Sequence, residues 1–111
     1  MIELPWPHKA LSPNARPHHL AKWKQVKAHR QWAYLATLAA KISVPEGTIR
    51  VTITAYPKVE RGRDRDNMVA WCKSYLDGIA DGLGVNDTRF QTPVVQWGEC
   101  VARPVVVVTI G

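Results

Sequence analysis

A chain of 111 residues, 46% hydrophobic and 22% charged, is long enough to build one hydrophobic core, and its composition argues against intrinsic disorder. No apolar run reaches the roughly 18 residues of a spanning helix. Residues Met1–Trp6 have neither the basic nor the apolar region of a secretory leader, so the expected setting is cytoplasmic, with no membrane partner. The formal charge of +6 points to a polyanionic partner, nucleic acid first.

Met1 to Trp6 reads as a short strand stopped by Pro5 and Pro7, and His8 to Pro17 as a loop. His18 to Ile42 lacks Gly and Pro and is rich in Ala, Leu, Lys and Gln, which predicts a long helix with Trp23 anchoring its polar first half. The charge is concentrated here. Between Glu3 and Glu46 there is no acid, while Lys9, Arg16, Lys22, Lys24, Lys27, Arg30, Lys41 and all four histidines fall in that stretch.

Thr48 to Tyr56 alternates Ile49, Val51, Ile53 and Ala55 with Arg50, Thr52, Thr54 and Tyr56, the pattern of a half-buried strand. Pro57 to Arg65 reads as an exposed basic stretch. Asn67 to Leu83 reads as one helix with Gly84 at its C-cap. Phe90 to Trp97 and Val101 to Ile110 read as strands joined by a tight turn at Gly98 and Glu99. The run Val105-Val106-Val107-Val108 suggests burial on both faces. The expected order is β-α-β-α-β-β: a single α/β or α+β domain over 1–111, with a small mixed sheet covered by two helices. Cys72 and Cys100 sit in no metal spacing and are expected as reduced, mostly buried thiols.

Asp64 and Asp66 are two residues apart before the second helix, so in extended backbone Glu60, Asp64 and Asp66 share one face and Arg61, Arg63 and Arg65 the other. Carboxylates on one face suit Mg²⁺, a hard cation that takes oxygen ligands, and the arginines could grip phosphates. Asp66-Asn67 reads equally as a plain helix cap. At 100° per residue, Met68, Trp71, Cys72, Tyr75, Leu76 and Ile79 gather on one side of the helix, and Asp66, Ala70, Lys73 and Asp77 on the other. Lys73 leans back toward the helix start, where it could stabilise phosphoryl charge or simply pair with Asp77 at i,i+4. Asp87 follows the C-cap, and reaching the same site requires the chain to fold back along the sheet edge.

Arg63-Asp64-Arg65-Asp66-Asn67, Lys73, Leu76-Asp77-Gly78 and Gly84-Val85-Asn86-Asp87 together resemble the RusA family of crossover-junction endodeoxyribonucleases. Leu4-Pro5-Trp6-Pro7 and Leu11-Ser12-Pro13-Asn14-Ala15-Arg16 resemble its longer phage-type members. The resemblance implies a phage- or prophage-encoded homodimer that resolves four-way DNA junctions with Mg²⁺ in recombination and repair. It implies an acidic triad of Asp64, Asp66 and Asp87 and an essential lysine at Lys73. Two departures stand out: the family lysine lies one turn after the second Asp, where this chain has Ala70, and the family's tandem Asp-Asp reads Asn86-Asp87. DNA-backbone contacts are expected from Lys22, Lys24, Lys27, Arg30, Arg61, Arg63 and Arg65, and one or two of the five tryptophans are expected at the dimer interface. The alternatives are a nuclease acting on other branched or single-stranded DNA, and a non-catalytic DNA-binding module.

Overall fold

The alternation read from Ile49 to Ala55 becomes strand β2, Val51–Tyr56, with Val51, Ile53 and Ala55 buried and the residues between them half-buried. In this computed structural model, which describes residues 1–59 and 65–111 (Arg65 and Asp66 by backbone alone), β2 is a central strand. The others are β1, Ile2–Pro5, β3, Val94–Trp97, and β4, Val105–Ile110, and the sheet order is β1-β4-β2-β3. β4 is antiparallel to both β1 and β2, whereas β3 runs parallel to β2. Pro5 sits on edge strand β1, where its missing N–H costs no central ladder bond.

The helices are α1, His19–Ala40, α2, Arg65–Trp71, and α3, Lys73–Leu83. Two single 3₁₀ turns, Lys9–Leu11 and Asp87–Arg89, lie in the connections. The domain is α+β, a four-stranded mixed sheet with its helices. Register pairs Leu4 with Val106, Ile53 with Val108 and Ile53 with Val95, so one sheet face supplies the core. Met68, Cys72, Tyr75, Leu76 and Ile79 close it from the helical side. Each fully buried aliphatic side chain contributes about 1.5–3 kcal/mol.

Four expectations are corrected. The helix expected from Asn67 to Leu83 starts at Arg65 and is broken at Cys72, whose N–H lies within hydrogen-bonding distance of both the Met68 and Val69 carbonyls. The tight turn at Gly98-Glu99 does not form, because β3 and β4 flank β2 on opposite sides. The chain from 98 to 104 instead wraps the end of β2, with Gly98 N–H donating to Ala55 O at 2.8 Å and Val101 N–H to Pro57 O at 2.9 Å. In β4, Val106 and Val108 are buried but Val105 and Val107 only half-buried, since helices cover one sheet face. Finally, Trp23 is no anchor: it is 62% exposed. Of the cysteines, Cys72 is buried and Cys100 exposed, both free; burial pushes the Cys72 thiol up to about 12, which keeps it unreactive.

α1 packs on α3 through small residues. A Cβ on Gly78 would collide with the Arg30 carbonyl and lie 2.8 Å from Ala33 Cβ, and one on Gly82 would lie 2.7 Å from Thr37 Cβ. The N-terminal segment is clamped by one side chain from each of the three helices. Tyr75 OH donates to Pro5 O at 2.7 Å, Trp71 Nε1–H to His8 O at 2.9 Å, and His8 N–H donates to His29 Nε2 at 3.0 Å. His29 is buried and faces the rings of Tyr75 and Trp32. Burial chiefly, with the neighbouring His8 adding, holds its pKa below the usual histidine value. Among the described residues no helix is long and apolar enough to cross a membrane.

Candidate active site

The break at Cys72 gives Lys73 a new helix to begin, and that start is exposed. Lys73 Nζ bonds Asp77 Oδ1 at 2.7 Å, one turn along α3, and lies 3.8 Å from Asp87 Oδ2. The i,i+4 pair with Asp77 is thus formed, and the same ammonium also stands near Asp87.

Asp87 reaches this place by the fold-back that spacing alone left open. Gly84, at φ +71, takes the left-handed conformation that ends α3 and reverses the chain. Asn86 then caps the 3₁₀ turn, its Oδ1 accepting from Thr88 N–H at 2.9 Å. Arg89 ties the turn to the loop before β2, donating from Nε to Gly47 O at 3.0 Å and from Nη2 to Pro45 O at 2.5 Å. The return runs beside the sheet edge: Ile49 N–H donates to Arg89 O, Gln91 N–H donates to Ile49 O, and Ile49 bridges Phe90 in parallel.

Arg30 of α1 closes the other side. It forks onto Asp81, Nε to Oδ2 at 2.6 Å and Nη2 to Oδ1 at 3.0 Å. That hydrogen-bonded pair raises the Arg30 pKa and holds the Asp81 carboxyl below its usual range. Both side chains are about half exposed, at 51% and 41%, so the fork orients more than it stabilises. Lys73, Asp77, Asp81, Asn86, Asp87 and Arg30 line an open cleft of about 390 Å³ in which three carboxylates face two cations.

Of the residues expected at a catalytic site, the structure brings together Lys73 and Asp87. Asp64 lies outside the described residues, as do Arg61 and Arg63. Asp66 and Arg65 fall in the first turn of α2, so the extended-backbone argument for a shared face does not extend to Asp66. Lys22, Lys24 and Lys27 stand exposed on α1, and Arg30 belongs to the cleft itself. Asp77 was expected only as the i,i+4 partner of Lys73 and Asp81 not at all, although the spacing of 73, 77 and 81 on one helix edge carried the signal.

Carboxylate oxygens are the donor type that a hard divalent ion takes, so Asp87 and its acidic neighbours fit Mg²⁺ in kind. Among the described residues no group of three or more His, Cys, Asp or Glu is close enough to hold a metal; the Asp64 and Asp66 carboxylates are not among the described side chains.

No family model matches the chain. A protein of Xylella fastidiosa (strain Temecula1), described as uncharacterized, is 45% identical over 93 residues, which cover 80% of this chain. The chain spans 61% of that relative's length.

Proposed function

We propose that the chain is a Mg²⁺-dependent endodeoxyribonuclease that nicks branched DNA, four-way junctions above all, in the recombination and repair of a bacterial cell or its phage. The observation that carries the reading is the meeting of Lys73 and Asp87 at 3.8 Å in an open polar cleft. They are fourteen positions apart in the chain, across most of a helix and a reversal, and both are positions that the RusA resemblance marks.

Asp64, Asp66 and Asp87 would hold the metal. Mg²⁺, when bound, supplies an acidified water and neutralises charge at phosphorus. Asp87 is fixed by the Asn86 cap and the Arg89 ties, and Asp77 orients the Lys73 ammonium beside it. From there the ammonium balances the charge that develops on a phosphate oxygen. Arg30, forked on Asp81, borders the cleft and holds the flanking backbone. Two nicks of like polarity call for two copies of one site, hence a two-fold homodimer. Trp32, Leu35 and Leu38, exposed on the part of α1 beyond Arg30, which carries no charge, are apolar surface that a second copy would cover.

The test is incubation of the purified protein with a synthetic four-way junction, with and without Mg²⁺. Paired symmetric nicks that need the metal are expected, and an intact junction in both tubes would overturn the reading. One observation favours a binding module instead: the shorter contact of Lys73 is with Asp77, an ordinary surface pair. Junction binding without cutting under any divalent ion would select that alternative.

A further inference from the structure

The outer face of α1 exposes large apolar side chains and carries no acid. Leu20 and Trp23 are each 62% exposed, with Lys22, Lys24 and Lys27 around them. Lys27 Nζ lies 5.1 Å from the centre of the Trp23 ring, a cation–π contact at the surface. Further along the helix, Tyr34 lines a second cleft of about 330 Å³ with Lys27 and Gln31. This cleft shares Arg30 and Asp81 with the candidate active site, so the two form one track across the molecule. The one carboxylate on the second cleft, Asp81, is already paired by Arg30.

Charge selects the occupant of this face. A second copy of the chain laid here would set Lys22, Lys24 and Lys27 against their own kind, and an apolar partner would strip them of water. A polyanion satisfies them. Duplex phosphates alone would make no use of an exposed indole beside the lysines, whereas an unpaired base stacks on one.

Resting on the nucleic-acid reading above, we infer that Trp23 and Tyr34, with Lys27 between them, form a stacking platform for unpaired nucleotides of the strand that enters the candidate active site. The two rings are eleven residues apart, roughly 16 Å along the helix axis at about 1.5 Å per residue. At about 3.4 Å per nucleotide, four or five stacked bases cover that distance. The substrate class is therefore DNA with unpaired bases at or beside a branch, and the platform distinguishes it from plain duplex.

The test compares binding, in EDTA, of a labelled perfect duplex and a duplex with a single-stranded flap, by fluorescence anisotropy over a range of salt. Wild type should prefer the flap. Trp23→Ala should weaken flap binding roughly 5- to 100-fold, the worth of one stacked base, and leave duplex affinity and the flap salt slope unchanged. Trp23→Phe should keep most of the preference. Lys27→Ala should lower the salt slope by about one on both substrates. Because Trp23 is exposed, its variants should melt like the wild type, which a thermal scan checks. Equal flap affinity for Trp23→Ala and wild type overturns the platform and leaves the nucleic-acid reading standing. So does a dimer that Trp23→Ala turns into a monomer, which would make this face an interface between copies. Failure of wild type to bind any DNA overturns the nucleic-acid reading itself.

Discussion

α1 and α3 pack against each other and divide the work unequally. α1 has 22 residues and buries three of them, His29, Ala33 and Thr37. α3 has 11 and buries six. The shorter helix sends Tyr75, Leu76 and Ile79 into the core cluster and receives α1 on Gly78 and Gly82. The longer helix meets it at the glycines through small side chains, Ala33 and Thr37, and beside them through His29 on Tyr75 and Arg30 on Asp81, so Leu20, Trp23, Leu35 and Leu38 are left outside. Apolar content alone does not decide burial; the face that meets a neighbour does. The difference also separates roles: α3 and the turn after it frame the candidate chemistry, and the outer face of α1 offers charge and rings to a partner.

Substitutions should follow that division. The largest effect is expected at the α3 side of the cleft. Asp87→Asn should abolish junction cutting and leave binding intact or tighter, since a carboxylate that repels DNA is lost with the metal ligand; a gel assay with and without Mg²⁺ reads both. Lys73→Ala should slow cutting by about 10²-fold or more, the scale of one lost transition-state donor. Asp77→Asn, which removes only the shorter partner of Lys73, should cost far less. Equal losses in the two variants would assign Lys73 to the surface pair.

Next comes the contact between the helices. Gly78→Ala places a methyl against the Arg30 backbone and Ala33, and overpacking of this kind costs about 1–3 kcal/mol, against a helix-propensity gain of up to about 1 kcal/mol. A fall in Tm of several degrees is expected, at roughly 4–8 °C per kcal/mol for a domain near this size. An unchanged or raised Tm would mean that the helices can part without penalty.

The clamp on the N-terminal segment should make stability depend on pH. Neutral His29 accepts from the His8 N–H and its Nδ1–H donates to Gln25 O, so protonation gives Nε2 a hydrogen that faces another donor. Its folded pKa lies below the usual 6.5. Below pH 6.5 the unfolded chain therefore takes the proton first, and stability falls with pH until the folded form is protonated too. Melting scans from pH 7 to 5 should show that fall in the wild type and a shallower one in His29→Gln; parallel curves would remove His29 as its source.

The smallest effect belongs to the outer face of α1. Replacing Lys24 and Lys27 together by Ala should weaken all DNA binding about equally and flatten the salt slope by roughly one to two units, with Tm unchanged. An unaltered slope would move the phosphate contacts away from this helix.

Much of this was legible in the sequence because it depends on local period and local chemistry. The alternation of Val51, Ile53 and Ala55 set a strand face, Gly84 set a left-handed C-cap, and the acid-free run from residue 4 to 45 marked a cationic helix before any fold was known. The apolar edge of Met68, Cys72, Tyr75 and Ile79 was readable at 100° per residue, and a bend at Cys72 did not change which of them are buried.

What tertiary structure decided depends on contacts between residues far apart in the chain. Strand adjacency was one: Gly98 and Glu99 have the chemistry of a hairpin turn, but β2 pairs with both flanking strands and keeps β3 and β4 apart. The fate of Trp23 was another, since an aromatic at a helix start can anchor or stand free, and only the face that α1 turns to its neighbours, with His29, Ala33 and Thr37 buried, determines which. The meeting of Lys73, Asp87, Arg30 and Asp81 was a third. It needs the reversal at Gly84, the ties of Arg89 to Pro45 and Gly47, and the crossing of α1 over α3. Each side chain is local, but the distance between them is set by the packing of the whole domain.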